Sequence, residues 1–225
     1  MKRIDLNVDI GEGFANDAEL LLFATSANVC CGEHAGSWEL TLETVALCRE
    51  RGIRIGAHPG YPDRASMGRA EVESEDWNKV LNSLRAQIMR MANLGACSYV
   101  KPHGAFYNEA TIPGRAHSAL QTVLRGLHAP LMGLPDTDHE TAAHTASVPF
   151  IREGFADRAY TPDGRLVHRS RPDALLDNPA LVRAQALRLA PRVDSICLHG
   201  DSDGCVEFAE LVRNALEQSG FEVGW

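Results

Sequence analysis

Residues 4–9 alternate apolar Ile4, Leu6 and Val8 with polar Asp5, Asn7 and Asp9. A period of two over six positions predicts a β-strand with one polar face. On an open sheet that face meets solvent; in a barrel it lines one inner wall. Asn16 or Asp17 is placed to cap a helix through Phe23, with Glu19 in its first turn. Residues 27–31 predict the second strand. Ser37 then opens a helix carrying Leu40, Val45 and Leu47, which stops at Gly52. Ile53 to Ala57 predicts the third strand. The stretch His58-Pro59-Gly60-Tyr61-Pro62-Asp63 is too proline-rich to be regular and runs on through Met67-Gly68-Arg69. Loops of that length tend to cover sites.

Ser74, followed by Glu75 and Asp76, predicts the start of the longest helix. Trp77, Val80, Leu81, Leu84, Ile88 and Met91 follow helical spacing, and Gly95 ends it. Tyr99-Val100 then leads into Lys101-Pro102-His103-Gly104. Proline cannot donate a ladder hydrogen bond and glycine adopts angles that other residues avoid, so a strand end opens here into a tight loop. Pro113 predicts a helix start that runs towards Gly126. Residues 131–134 predict a short strand followed by a weak helix, and residues 150–155 another strand. Pro162-Asp163-Gly164 reads as a turn. Asp177 caps a helix with Pro179 in its first turn, ending by Pro191. Ser195 to Leu198 reads as the last strand, and residues 206–217 as a final amphipathic helix with Phe208, Leu211, Val212 and Leu216 inward.

Strands alternating with helices imply parallel βαβ units. Five times an apolar strand delivers Asp, Asn, Lys or His into a glycine-containing turn: before Gly11, Gly32, Pro59-Gly60, Gly104 and Gly200. Polar strand ends spread along the whole chain favour a (β/α) barrel, whose site lies at the C-terminal ends of its strands. An open doubly wound sheet is the alternative. No linker or repeat divides residues 1–225, so one domain is expected.

The net charge of -8 removes nucleic acid and anionic membranes from the expected partners, because phosphates attract clustered Lys and Arg. No apolar run is long enough to span a bilayer, and Asp5 interrupts any leader-like segment, which predicts a cytoplasmic protein. The six cysteines include adjacent Cys30 and Cys31 but no CxxC pair, as expected of buried reduced thiols. Neither GxGxxG nor a Walker sequence occurs, so no self-contained nucleotide site is expected.

Three histidines, His58, His103 and His199, each end a different predicted strand and suit acid–base work or metal ligation. Asp5, Asn7, Asp9 and Glu12 gather on the first strand and its loop. Lys101 is placed to bind a carboxylate or phosphate or to stabilise an oxyanion. Arg158 suits bidentate carboxylate binding with Asp157 orienting it. Cys31 is a candidate thiolate partner of His34, although a buried thiol is the commoner role. Asp9, His58, His103 and His199 are weak candidate metal ligands, since no HExxH or HxxxH pair supports them.

Taken together, six stretches resemble the LamB/YcsF family, the A subunits of bacterial ATP-dependent 5-oxoprolinases. They are residues 5–13 (DLNVDIGEG), 26–36 (SANVCCGEHAG), 55–63 (IGAHPGYPD), 100–108 (VKPHGAFYN), 153–160 (EGFADRAY) and 197–201 (CLHGD). The resemblance runs nearly end to end. It departs at Glu33, where the family usually has an aromatic residue, and at the short segment 191–194. It implies a distorted (β/α) barrel of about seven parallel strands, akin to polysaccharide deacetylases. It also implies opening of the lactam of 5-oxo-L-proline to L-glutamate with ATP, beside two companion subunits resembling the halves of an allophanate hydrolase.

On that reading Asp9, His58 or His103 is the base for an attacking water, and Lys101 and Arg158 hold the substrate carboxylate or the phosphoryl oxygens. Asn7, Glu12, Asn28, His34, Asp157, Arg158, His199 and Asp201 bind substrate. Two other readings compete. One is a stand-alone metal-dependent amidohydrolase or deacetylase; the other is a subunit that binds a small acid without turning it over.

Overall fold

A computed structural model describes residues 2–72, 77–202 and 204–225. Among these, strands and helices alternate: β1 (Lys2–Ile10), α1 (Asp17–Leu20), β2 (Ser26–Cys30), α2 (Trp38–Glu50), β3 (Arg54–His58), α3 (Trp77–Asn93), α4 (Gly104–Glu109) and α5 (Arg115–Leu124). β4 (Leu131–Gly133), α6 (Asp138–Ala146), β5 (Phe150–Phe155), α7 (Pro179–Leu189), β6 (Ser195–His199), α8 (Cys205–Gln218) and β7 (Phe221–Val223) complete the chain. The main path runs β3-β2-β1-β6-β5-β4, with every pairing parallel. Its two edges meet through one short stretch. Lys101 N–H donates to Ala57 O and Met132 N–H to Val100 O, so residues 99–101 act as the stave that joins β3 to β4. The sheet thereby curls into the expected distorted barrel of seven staves, and the open-sheet alternative falls away.

The alternation in β1 decides what fills this barrel. Ile4, Leu6, Val8 and Ile10 turn outward and pack with Val29, Ile196, Leu198 and the apolar faces of α2, α7 and α8. A second apolar cluster joins α3, α5 and α6 over β4. Asp5, Asn7 and Asp9 turn inward and are buried. The register sets Asp5 beside Ser195, Asn7 beside Cys197, and Asp9 beside both Asn28 and His199. Thus the barrel interior is polar, and burying it requires that its groups bond one another. Asp5 accepts from Thr25 and Ser26, and Asn7 donates to Ser195 at 2.7 Å. Tyr99 fills the space above Gly56 and donates to Asn28 at 2.6 Å.

Local departures from the sequence pattern have local causes. Asp17 does not cap a long helix; α1 is a single turn, and the Asp17 carboxylate accepts Gly11 N–H at 2.7 Å instead. Burial pushes Asp17 up to about 6. The cap of α7 is Asn178 rather than Asp177. The loop expected after His103 is helix α4, whose first residue, Gly104, has a positive φ that brings it against Gly68. Ser195–His199 is not the last strand, because β7 adds to the N-terminal half of β1. Ser37 does cap α2 by accepting Leu40 N–H. The cap expected at Ser74 lies outside the described residues. None of the described helices is long and apolar enough to cross a membrane.

Two expectations follow. A Cβ at Gly56 would run into the Tyr99 ring, and Tyr99 is wholly buried. Gly56→Ala is therefore expected to lower the unfolding free energy by about 1–3 kcal/mol in urea titration; an unchanged midpoint would contradict this packing. His139 is fully buried, accepting Leu134 N–H and facing Tyr107 O, and burial pushes it down to about 4. The unfolded chain binds that proton near 6.5, so this residue's contribution is complete above 6.5 and fades as pH falls towards 4. Subtracting the stability of His139→Gln from that of the parent should expose a loss of up to about 3 kcal/mol across this window. A flat difference would refute it.

Candidate active site

The C-terminal ends of the strands open into a cavity of about 390 Å³. Its buried end is formed by Asp9, His58, Lys101, His103 and His199. Phe155 and Leu166 supply apolar wall, while Arg69, Arg158 and Arg169 add guanidinium groups. This volume suits a small molecule, near the lower end of typical ligand pockets.

Lys101 is the hub of the buried end. Its ammonium lies 2.8 Å from Asp9 Oδ1, 2.8 Å from Glu153 Oε1, 3.3 Å from Asn7 Oδ1 and 3.0 Å from Cys197 Sγ. Burial alone would favour the neutral amine; Asp9, with Cys197 and Glu153 after it, outweighs burial and holds Lys101 well above its ordinary value. Burial likewise pushes Asp9 up, yet Lys101, His58 and His199 win and hold it well below the usual carboxylate range. Asp9 Oδ1 also accepts Asn28 at 2.6 Å. Its Oδ2 is left towards His58 Nε2 at 3.5 Å and His199 Nε2 at 3.8 Å.

The histidines are aimed by their second nitrogens. His199 Nδ1 faces both oxygens of Asp157 at 3.0 Å, and His199 N–H donates to Asp157 Oδ2 at 2.8 Å. This fixes the proton on Nδ1 and turns Nε2 towards the cavity and Asp9. His58 Nδ1 faces Lys101 O and His103 Nε2 faces Met67 O, both at 2.8 Å. Carbonyls only accept, so both of these nitrogens carry hydrogen. With each ring neutral, His58 Nε2 and His103 Nδ1 then meet as two acceptors 2.9 Å apart. Burial, with His34 and His58 adding to it, pushes His103 well below its ordinary value. His34 stacks on His103 with centroids 3.9 Å apart. Burial lowers His34, but Cys30 and Glu12 outweigh it and push it up to about 9.

This crowd of acceptors also defines where a cation would fit. Glu12, His34 and His103 present converging ligand atoms, and Glu12 Oε1 and His34 Nε2 are buried without a hydrogen bond. His34 and His103 are parallel within 5°, so one ion cannot lie in both ring planes. His58 Nε2 lies 2.9 Å from His103 Nδ1, 3.5 Å from Asp9 Oδ2 and 4.0 Å from Glu12 Oε1, and its ring crosses that of His103 at 87°, so His58 adds a further donor beside this group. A second group, Asp9, Cys197 and His199, also presents converging ligand atoms.

Of the residues singled out in the sequence, Asp9, His58, Lys101, His103, Arg158 and His199 line the cavity. The side chains of the other candidates are engaged as follows. Asn7 and Asn28 are fully buried and outside the lining, where Asn28 donates to both Asn7 Oδ1 and Asp9 Oδ1. Asp157 serves His199, not Arg158, whose guanidinium instead donates to Ala174 O and Val167 O. Lys101 lines the cavity while its ammonium is already paired with Asp9 and Glu153. Cys31 is a buried thiol bonded towards Val29 O; the sulfur near His34 is that of Cys30, 4.0 Å away. Asp201 is occupied by Arg69 and Arg169. Glu12 and His34 lie behind His103, outside the lining. Sequence reasoning passed over Glu153, Arg69 and Arg169. Arg69 stood in the loop marked as a cover, but nothing in its neighbours set it apart from a surface arginine.

Comparison with known proteins agrees over the full length. A profile of the LamB/YcsF family matches residues 4–224. The chain is 40% identical to the 5-oxoprolinase A subunit of Neisseria meningitidis serogroup C, covering 99% of both chains. It is 40% identical to that of Nocardia farcinica, covering 98% of each. A solved structure, the lactam utilization protein from Thermus thermophilus, superposes with a TM-score of 0.85 at 33% identity, covering 99% of each chain.

Removing Lys101 tests the hub. Lys101→Met strands Asp9 and Glu153 as buried, uncompensated carboxylates, and a loss of about 3–5 kcal/mol is expected in urea unfolding. Adding Glu153→Gln to the same protein should restore part of that loss. A single variant within about 1 kcal/mol of the parent would mean that the ammonium is not the countercharge.

Proposed function

This chain belongs to the LamB/YcsF family, and from that membership we propose that it opens the lactam of 5-oxo-L-proline to L-glutamate as one subunit of an ATP-dependent enzyme. The relatives named as 5-oxoprolinase A subunits support the substrate. The observation that carries the chemistry is the line Asp157–His199–Asp9 at the buried end of the cavity. There an imidazole with a fixed tautomer faces a carboxylate held ionised by Lys101. Two companion subunits resembling allophanate-hydrolase halves supply the phosphoryl step, and ATP as co-substrate fits a reaction in the cytoplasm.

A lactam is a weak electrophile. Phosphoryl transfer to its oxygen gives an imidate-like carbon. Water adds to that carbon while its proton passes to His199 Nε2. The ring nitrogen then leaves as an amine, taking one proton back from the same imidazole and the second from the added hydroxyl, whose oxygen becomes the carbonyl of an acyl phosphate. A second water cleaves it to glutamate and phosphate. Asp157 fixes the imidazole throughout, and Asp9 stabilises its protonated form. His58 and His103 flank the reacting carbon with their tautomers fixed by backbone carbonyls. His199 thus takes the role that the sequence divided among Asp9, His58 and His103.

The facing nitrogens of His58 and His103 favour a second reading, a metal-dependent amidohydrolase that acts without ATP. A divalent ion held by Asp9, Glu12, His58 and His103 would polarise an amide carbonyl or activate water. Stoichiometric metal in the purified protein, with amide hydrolysis in the absence of ATP, would favour this second reading.

Glutamate release from 5-oxo-L-proline, measured with ATP and the companion subunits, distinguishes the two. His199→Asn and Asp9→Asn should each lower kcat by about two to four orders of magnitude. Near-normal turnover in both folded variants would remove the assignment.

A further inference from the structure

Three loops bring their polar residues together at the more open part of the cavity. Arg69 comes from the loop after β3, Arg169 from the loop after β5, and Asp201 from the turn after β6. Arg69 Nη2 lies 2.5 Å from Asp201 Oδ2, and Arg169 Nη2 lies 2.8 and 2.6 Å from the two oxygens of the same carboxylate. Two guanidinium groups therefore share one anion. Arg158 adds a third cation to the lining, and among the described residues its guanidinium donates to the uncharged carbonyls of Ala174 and Val167. Burial and then the nearby charge of Arg169 hold Arg158 below its ordinary value, so these two cations repel. The neighbouring carboxylate, Asp157, is turned away to His199. A cluster of like charges facing a cavity is stabilised by an incoming anion.

We propose that Arg69 and Arg169, pre-set on Asp201, form the site that receives the carboxylate of the lactam substrate. This rests on the reading of the protein as a lactam-opening subunit. Both arginines line the cavity, and their side chains are 26% and 21% exposed, so a ligand can reach them. Arg169 uses Nη2 alone in the bonds to Asp201, which leaves Nη1 as a donor on the guanidinium end and Nε–H as a separate one on its side, each able to make a single charge-assisted bond to a carboxylate oxygen. Phe155 and Leu166 offer apolar surface to the ring, and Asp9 and His199 stand at the buried end to meet its amide carbon. Arg158 raises the positive potential without surrendering its carbonyl bonds. The Lys101 ammonium, by contrast, is already paired with Asp9 and Glu153 at 2.8 Å each.

The test is calorimetric titration of the purified chain with 5-oxo-L-proline, with 5-oxo-L-prolinamide, which lacks the carboxylate, and with inorganic phosphate. The acid is expected to bind about 10–100-fold more tightly than the amide, the range for hydrogen bonds to a charged group. Arg169→Gln and Arg69→Gln should each erase most of that preference while leaving amide affinity unchanged, with unfolding midpoints recorded to confirm folded protein. Equal binding of acid and amide by the parent would overturn the proposal. So would variants that weaken both ligands alike, the mark of a structural role. Loss of phosphate binding with acid binding retained would reassign the arginines to a phosphoryl group and overturn it too. Binding of neither lactam by the parent would instead overturn the lactam reading and this proposal together, a result told apart by the amide, which binds when only the carboxylate assignment fails.

Discussion

Everything at the centre of this barrel depends on one buried ammonium. Lys101 sits where the polar face of β1, the inner face of β5 and the closing stave meet, and its charge allows Asp9 and Glu153 to be buried in the same small volume. Without it, desolvation would favour protonated carboxyls or drive the interior apart. Since Asp9 is ionised through Lys101, the histidines that face Asp9 meet a fixed negative charge. The same residue closes the barrel, because its backbone N–H donates to Ala57 O. Fold closure and site electrostatics therefore meet in the stave 99–101, whose Val100 reaches β4 while Lys101 bonds to β3.

The polar interior also divides labour along the cavity. The buried end holds groups whose neighbours are already fixed: Asp157 on His199, Lys101 O on His58, Met67 O on His103. Such groups keep their geometry while a proton moves, which is what acid–base work asks of them. Opposite them, arginines from separate loops are tied to one another through Asp201. On the proposed function, strand ends would carry the chemistry and loops would select the substrate, as in barrels generally.

What could be read from the sequence is a matter of range. The alternation in residues 4–9 marked which side of β1 is polar, and reading His58, His103 and His199 as strand ends anticipated that they line one cavity, although His103 is the N-cap of α4. These signals are local. Pairings between distant residues left no trace: that Asp157 faces His199 rather than its neighbour Arg158 depends on the register of β5 with β6. Glu153 looked like one polar residue in a short strand, and its importance comes only from meeting Lys101. Helix α4 was hidden because Pro102 and Gly104 read as loop formers, while the chain uses that glycine's positive φ to begin a helix against Gly68. β7 is three residues long and gains its place only from the exposed half of β1.

The most direct test of the central claim is a crystal structure of the protein with 5-oxo-L-proline bound. The ring is expected inside the cavity, with its amide carbon close enough to His199 for a water between them, at about 3–3.5 Å from that water. The Asp157–His199 bond should be intact in the complex. A lactam bound elsewhere on the chain, or held with its amide carbon turned away from His199 and Asp9, would contradict the assignment of this cavity as the place where the ring is opened.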